Sequence, residues 1–155
     1  MKASAYVFEP MNDEEAREIS GWHYEAPYDF YDSASDADDL AELLDPKRRE
    51  GSYFAAFEGD ELVGFFQFEM KGGTVDVGLG LRPDLTGRGL GLEFMLAGLE
   101  FARRRFDPDE FSLSVATFNE RAIRVYERVG FRRGEVYTHH TNGADYPFLP
   151  MTREA

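Results

Sequence analysis

The sequence predicts one α/β domain, a mixed central sheet of about seven strands flanked by four helices, and three observations carry that prediction. An apolar strand runs through a turn into glycines at 87, 89 and 91 and then directly into a helix. Several stretches alternate apolar and polar residues with short polar turns between them, the pattern of an antiparallel meander. The chain has 155 residues, enough for one well-buried core and too few for two ordinary domains.

The first strand is read at residues 4–8. Asn12 with Glu15 three places on forms a capping box and opens a helix that fades by Gly21. Residues 22–32 carry five aromatics within ten positions, together with Pro27. Such a segment makes a poor helix and serves either as a pocket wall or as a cap over the core. A short helix over 36–44 precedes a hairpin of 53–57 with 62–70, and Lys71-Gly72-Gly73 turns into a further strand over 74–81. Past the glycines, Leu92, Met95, Leu96 and Leu99 recur at helical spacing with Phe94 and Phe101 as a second stripe, so this helix is buried on most sides. Phe111, Leu113 and Val115 alternate as a strand that a right-handed crossover lays parallel to 74–81. A helix opened by Asn119 ends at Gly130 in a left-handed cap. Strands 136–140 and 144–151 close the chain as a hairpin across Thr141-Asn142-Gly143.

Composition narrows the function classes. Thirty Asp and Glu stand against 17 Lys and Arg, a formal charge of -13, and such a surface repels nucleic acid and anionic membranes. Three of the 17 basic residues are Lys, a bias that a high-salt host and a GC-rich genome both produce. With no cysteine there is no disulfide framework, thiolate metal site or cysteine-linked acyl intermediate. No run approaches the ~20 apolar residues that span a membrane, and Met1-Lys2-Ala3-Ser4 lacks the hydrophobic segment of a signal peptide. The expected location is the cytoplasm.

The chemistry concentrates at the glycines. Without Cβ atoms, Gly87, Gly89 and Gly91 let the chain curl until successive N–H groups converge on one anion at the positive end of a helix, a cradle for a diphosphate. Two familiar phosphate loops fit poorly. Leu92 and Glu93 come after Gly91 where a P-loop needs Lys and Ser or Thr, and the strand over 111–116 ends without the carboxylate of a dinucleotide site.

This loop resembles the cofactor loop of the GNAT family of acetyl-CoA-dependent N-acetyltransferases, with Leu81, Pro83, Gly89 and Gly91 at matching places. Thr86 departs from it, since the family usually has Arg or Gln there. Asn119-Glu120-Arg121-Ala122-Ile123-Arg124-Val125-Tyr126-Glu127-Arg128-Val129-Gly130-Phe131 resembles the family's second signature at every fixed position. The two motifs cover residues 74–131, and the flanking elements keep the same order. Residues 76–81 are nearest to the branch that includes ribosomal-protein N-terminal acetyltransferases.

The resemblance implies that the sheet splays between the two parallel strands and takes acetyl-CoA in the gap. Leu79 and Leu81 of the first strand would then meet the pantetheine arm, and the backbone of Gly87, Arg88, Gly89, Leu90, Gly91 and Leu92 the diphosphate. Gly78 and Gly80 suit a strand that backbone or ligand approaches closely. Asn119 either bonds a pantetheine amide or serves only as an N-cap. By the same resemblance Tyr126 protonates the departing thiolate, the alternative being a core tyrosine. Asp76, on the strand face opposite the apolar odd positions, is the first candidate for the base, against the commoner fate of a solvated acid. His139 and His140 point to opposite faces of their strand, which argues against a metal pair and leaves either as an alternative base.

The reading is an N-acetyltransferase that moves acetyl directly from acetyl-CoA to a primary amine, with no metal, no nucleic acid and no membrane, and with a homodimer as an allowed assembly. The alternatives are an acyl-CoA-binding module without turnover, or another phosphate-bearing ligand at the same loop. In this fold class the acceptor approaches opposite the diphosphate, here between residues 22–32 and the C-terminal hairpin. Trp22, Tyr24, Tyr28 and Tyr31 beside Glu25, Asp29, Asp32 and Asp145 suit an ammonium group on an apolar body.

Overall fold

A computed structural model describes residues 5–155, and the expected strand start at Ser4 lies outside them. Eight strands form one sheet in the order β1-β2-β3-β4-β5-β8-β6, with β7 pairing on β8. Strands β1 (Tyr6–Pro10), β2 (Tyr53–Glu58), β3 (Glu61–Lys71) and β4 (Thr74–Leu81) make the expected antiparallel meander. β5 (Glu110–Ala116) runs parallel to β4 and antiparallel to β8 (Ala144–Glu154). The other edge of β8 takes β6 (Arg132–Arg133) and β7 (Tyr137–Thr141). Sequence alternation missed β6, which is two residues long and too short to show a period.

Helices cover both faces. α4 (Gly91–Phe106) and α5 (Glu120–Arg128) pack on one side over Phe54, Phe66, Phe68, Val75 and Phe111, while α1 (Asp13–Ser20) and α2 (Ala37–Leu44) pack on the other over Tyr53, Ala55 and Leu62. Alternation along β2 explains the division, since Phe54 and Ala56 face one core and Tyr53 and Ala55 the other. α4 docks closely because Gly98 carries no side chain. A Cβ there would lie 2.1 Å from Phe66 Cζ. A fifth helix, α3 (Pro46–Arg49), is a single turn that the expected count of four omits. Its buried Arg49 bonds the Leu43 carbonyl at 2.7 Å and pairs with Asp13, tying α3 to α2 and α1.

Three local devices position the site. The predicted capping box of α1 is present, with Asn12 Oδ1 accepting from Glu15 N–H at 2.8 Å and Glu15 Oε1 from Asn12 N–H at 3.0 Å. The expected hairpin of β7 with β8 forms, and Asn142 and Gly143 at its tip have φ of 52° and 78°, the signature of a primed turn. Asp36, the N-cap of α2, accepts from Asn142 N–H at 2.9 Å and from the Thr141 hydroxyl at 3.0 Å. The hairpin is thus fastened to α2 across the mouth of the sheet.

Candidate active site

β4 and β5 pair only at Thr74–Glu110, Val75–Phe111 and Asp76–Ser112. Ser112 Oγ donates to Asp76 Oδ1 at 2.8 Å and closes the last rung. Beyond it the strands part, as expected, around a cavity of about 250 Å³ bordered by residues 77–81 and 113–115. The opened edge of β4 is polar. The Leu81 carbonyl turns away from β3 to accept the Tyr24 hydroxyl at 2.6 Å, whereas Arg82 N–H returns to the Val63 carbonyl at 2.8 Å. Because backbone direction alternates along a strand, Leu79 also presents its N–H and C=O to the gap.

A second cavity of about 200 Å³ lies over Gly87, Gly89, Leu90 and Gly91 and is walled by Phe94, Ala122 and Val125. Gly87 and Gly89 hold φ of 72° and 77°, a region that glycine enters without a Cβ penalty. A Cβ at Gly89 would meet nothing within 4 Å, so the glycine answers a demand of backbone shape, and the space above it is open. Arg88 and Leu92, both in the predicted cradle, line neither cavity with their side chains. Thr86 lines both, with its hydroxyl committed to the Pro83 carbonyl at 2.7 Å.

Tyr126 reaches from α5 into both cavities. The turn that ends α5 fixes it there. Gly130, at φ 105°, sends its N–H to the Glu127 carbonyl at 3.0 Å, and Phe131 N–H bonds the Tyr126 carbonyl at 3.0 Å. This is a Schellman closure, and the Phe131 ring packs 6.2 Å from that of Tyr126. The Tyr126 hydroxyl makes no hydrogen bond to a described residue. Burial, with a smaller contribution from Tyr31, pushes the phenol up, so it stays protonated.

Asn119 is buried and lines the gap, but its Oδ1 accepts from Ala122 N–H at 3.1 Å, which is the N-cap role. Tyr31 stands beside it, its hydroxyl accepting from Ala116 N–H at 3.3 Å at the end of β5. Tyr24 and Tyr28 also line the gap, so three of the four predicted aromatics converge. Trp22 does not line the gap itself. It packs against Phe65, ring centroids 6.4 Å apart, on the smaller core beneath α1, and lines a side cavity of about 80 Å³ with Tyr24, Tyr31, Leu79 and Gly80. Asp76 lines neither the gap nor the glycine-loop cavity, because it sits on the closed rungs with Ser112.

A third cavity, about 260 Å³, opens on the α1–α2 side and shares Tyr31, Gly78 and Leu79 with the gap. Asp32, Asp39 and Glu42 line it together with Tyr53, Gln67 and His139. Glu42 Oε2 accepts from the Tyr53 hydroxyl at 2.8 Å and from Gln67 Nε2 at 3.3 Å, which fixes its carboxylate. Partial desolvation, then the charges of Asp36 and Glu42, push the Asp39 carboxyl up, while His139 pulls it down. His140 points away and pairs with Asp145 at 2.8 Å on the exposed side, as strand alternation requires. Sequence reading missed Asp39 and Glu42. Their i, i+3 spacing on α2 signals a shared face, but in so acidic a chain that signal is weak.

No helix among the described residues is long and apolar enough to cross a membrane. The mycothiol acetyltransferase of Actinosynnema mirum is 35% identical over 136 residues, covering 81% of this chain and 43% of that protein. Its counterpart in Thermobispora bispora is 32% identical over 143 residues, covering 84% and 46%. The chain therefore spans less than half the length of these curated relatives. Spermidine N-acetyltransferase from Vibrio cholerae, solved in complex with CoA and spermine, superposes with a TM-score of 0.78 at 16% identity, over 98% of this chain and 96% of that one. The model of the acetyltransferase (GNAT) family matches residues 12–131, and with the splayed sheet, the glycine loop and the Tyr126 helix in place, this chain is a member of that family.

Proposed function

We propose that this chain transfers an acetyl group from acetyl-CoA directly to the primary amine of a small cationic acceptor. The observation that carries the reading is that Leu79 borders all three cavities, so the diphosphate loop and the acidic cavity meet across one residue of the opened strand. The left-handed glycines and the opened edge of β4, where Tyr24 already holds the Leu81 carbonyl and Leu79 presents its N–H and C=O, fit a diphosphate joined to an amide-bearing arm. When bound, acetyl-CoA supplies the thioester. Leu79 and Leu81 hold the arm at the strand edge, and Tyr126, with its hydroxyl uncommitted, donates a proton to sulfur as the C–S bond breaks, while the nitrogen that forms the new C–N bond releases its second proton, which restores the Tyr126 phenol. A desolvated thiolate is a stronger base than one in water, so the burial that raises the phenol does not disable the transfer.

The ammonium enters on the carboxylate side, where Asp39 and Glu42 favour the cation, and gives up its proton to His139 before attack. Asp76 is not suited to that task, being held by Ser112 outside the cavities. The spermine in the neighbouring structure and the mycothiol relatives support a small amine over the ribosomal-protein branch that residues 76–81 resemble. The test is to incubate the protein with acetyl-CoA and a mixed library of polyamines, amino sugars, amino acids and peptides, and to track acetylated products by mass spectrometry. Acetylation of a small cationic amine is the expected result. Acetyl-CoA binding without turnover on any amine would reduce the chain to a binding module.

A further inference from the structure

Among the described residues, Arg121 is the only charged side chain that lines either the gap or the glycine-loop cavity, and it lines both. No carboxylate of the described residues pairs with it, in a chain that carries 30 acidic residues and pairs Arg48, Arg49, Arg82, Arg103, Arg104 and Arg133 with them. Its guanidinium lies 4.0 Å from the centre of the Tyr28 ring. One terminal nitrogen sits 3.4 Å from the point a Cβ of Gly87 would occupy, so the group reaches the floor of the loop. The loop has no cation of its own in the cavity, since Thr86 is tied to Pro83 and Arg88 lines neither space.

We propose that Arg121 is the side chain that grips the diphosphate of the acyl donor, closing over it from α5 while the glycine loop holds it from below. The inference rests on the acetyl-CoA reading and adds the residue that supplies the charge. Backbone amides contribute only partial charges to a dianionic diphosphate, whereas a planar guanidinium meets two phosphate oxygens at once. The cation–π contact with Tyr28 is of the right strength for a standby position. It keeps the fork over the loop without the strong hold that a carboxylate would exert. Tyr28 therefore belongs to the donor side of the site, as the platform for Arg121, in addition to lining the gap.

The test compares Arg121→Ala and Arg121→Gln with the parent chain by calorimetry against acetyl-CoA, acetyl-dephospho-CoA and S-acetylpantetheine. Circular dichroism melts confirm that the variants fold. Both variants should bind acetyl-CoA and acetyl-dephospho-CoA about 10- to 100-fold more weakly, the effect of losing charge-assisted bonds, while S-acetylpantetheine, which has no diphosphate, binds as tightly as to the parent. Arg121→Lys should recover only part of the loss, because an ammonium lacks the fork. An affinity for acetyl-CoA within twofold of the parent overturns the proposal. So does an equal loss for S-acetylpantetheine, which would mean that Arg121 acts by holding Tyr28, or a loss confined to acetyl-CoA, which would move the contact to the 3′-phosphate. A parent chain that binds none of the three overturns the acetyl-CoA reading itself.

Discussion

Replacing Gly89 by Val separates backbone shape from steric fit at the glycine loop. Gly89 has a φ of 77°, and nothing lies within 4 Å of an added Cβ, so the substitution creates no clash with the chain. Its cost is the strain of a β-branched residue in the left-handed region, about 1–3 kcal/mol. The loop escapes that strain by turning φ negative, which swings the next amide N–H groups off the point where they converge. If the diphosphate is held there, the strain reappears in binding as a loss of about 5- to 150-fold in acetyl-CoA affinity. Gly59 supplies a matched control. It occupies the β2–β3 turn at a φ of 61°, also with nothing within 4 Å of an added Cβ. Gly59→Val should lower Tm by a similar amount and leave acetyl-CoA calorimetry unaltered. The reasoning fails if Gly89→Val melts like Gly59→Val and still binds acetyl-CoA within twofold of the parent.

Four further outcomes are expected. Tyr126→Phe keeps the ring against Phe131 and removes only the proton donor, so kcat on an identified amine should fall about 10²-fold with acetyl-CoA Kd unmoved; an unchanged kcat would make Tyr126 a packing residue. Glu42→Gln removes the charge that Tyr53 and Gln67 hold in place, and acceptor KM should rise about tenfold in steady-state kinetics while acetyl-CoA KM stays constant. Gly98→Ala places a Cβ 2.1 Å from the fully buried Phe66 ring, which is stacked on Phe68 and has no room to retreat. The overpacking should cost about 1–3 kcal/mol, read as a Tm lowered by about 2–4 °C for each kcal/mol. Asp36 is held down to about 2, first by Asn142 N–H and then by Asp39 N–H. Its folded value lies below the ordinary ~3.9, so its ties stabilise the fold above that pH and are lost as pH falls through about 2. Hydrogen exchange at the β7–β8 turn should rise over that window in the parent and be fast at neutral pH in Asp36→Ala.

Much of the fold was legible because the signals were local. The capping box at Asn12, the hairpin turn at Asn142-Gly143, the left-handed Gly130 and the strand–glycine–helix unit are each specified by residues a few positions apart, and each formed as expected. Asp76 shows where local reading stops. Face alternation correctly placed it opposite the core but gave no information on how far along β4 the pairing with β5 extends, and three rungs of pairing leave it in the closed part. Trp22 shares a composition with Tyr24 and Tyr28, yet lies on the α1 side against Phe65, a distinction that only packing makes. Arg121 and Glu42 were hidden for a different reason. One sits in a helix rich in arginine and the other in a chain rich in acid, so their meaning comes from the cavities they face, which contacts distant in sequence create.

The rung between Asp76 and Ser112 has a mechanical consequence. Past it, β4 continues for five residues to Leu81, about 16 Å at about 3.3 Å per residue, without a partner on that edge. On its other edge β4 stays paired with β3 as far as Gly64–Leu81, so the opened length is held from one side only. A tilt of about 5° about the last closed rung displaces its far end by about 1.4 Å, and an error of about 1 Å at the reacting atoms is enough to cost about 10²-fold in rate. The Ser112–Asp76 bond and the 3.4 Å contact of Thr74 with Glu110 two rungs earlier thus act together with β3 to set the aim of an edge they lie well behind.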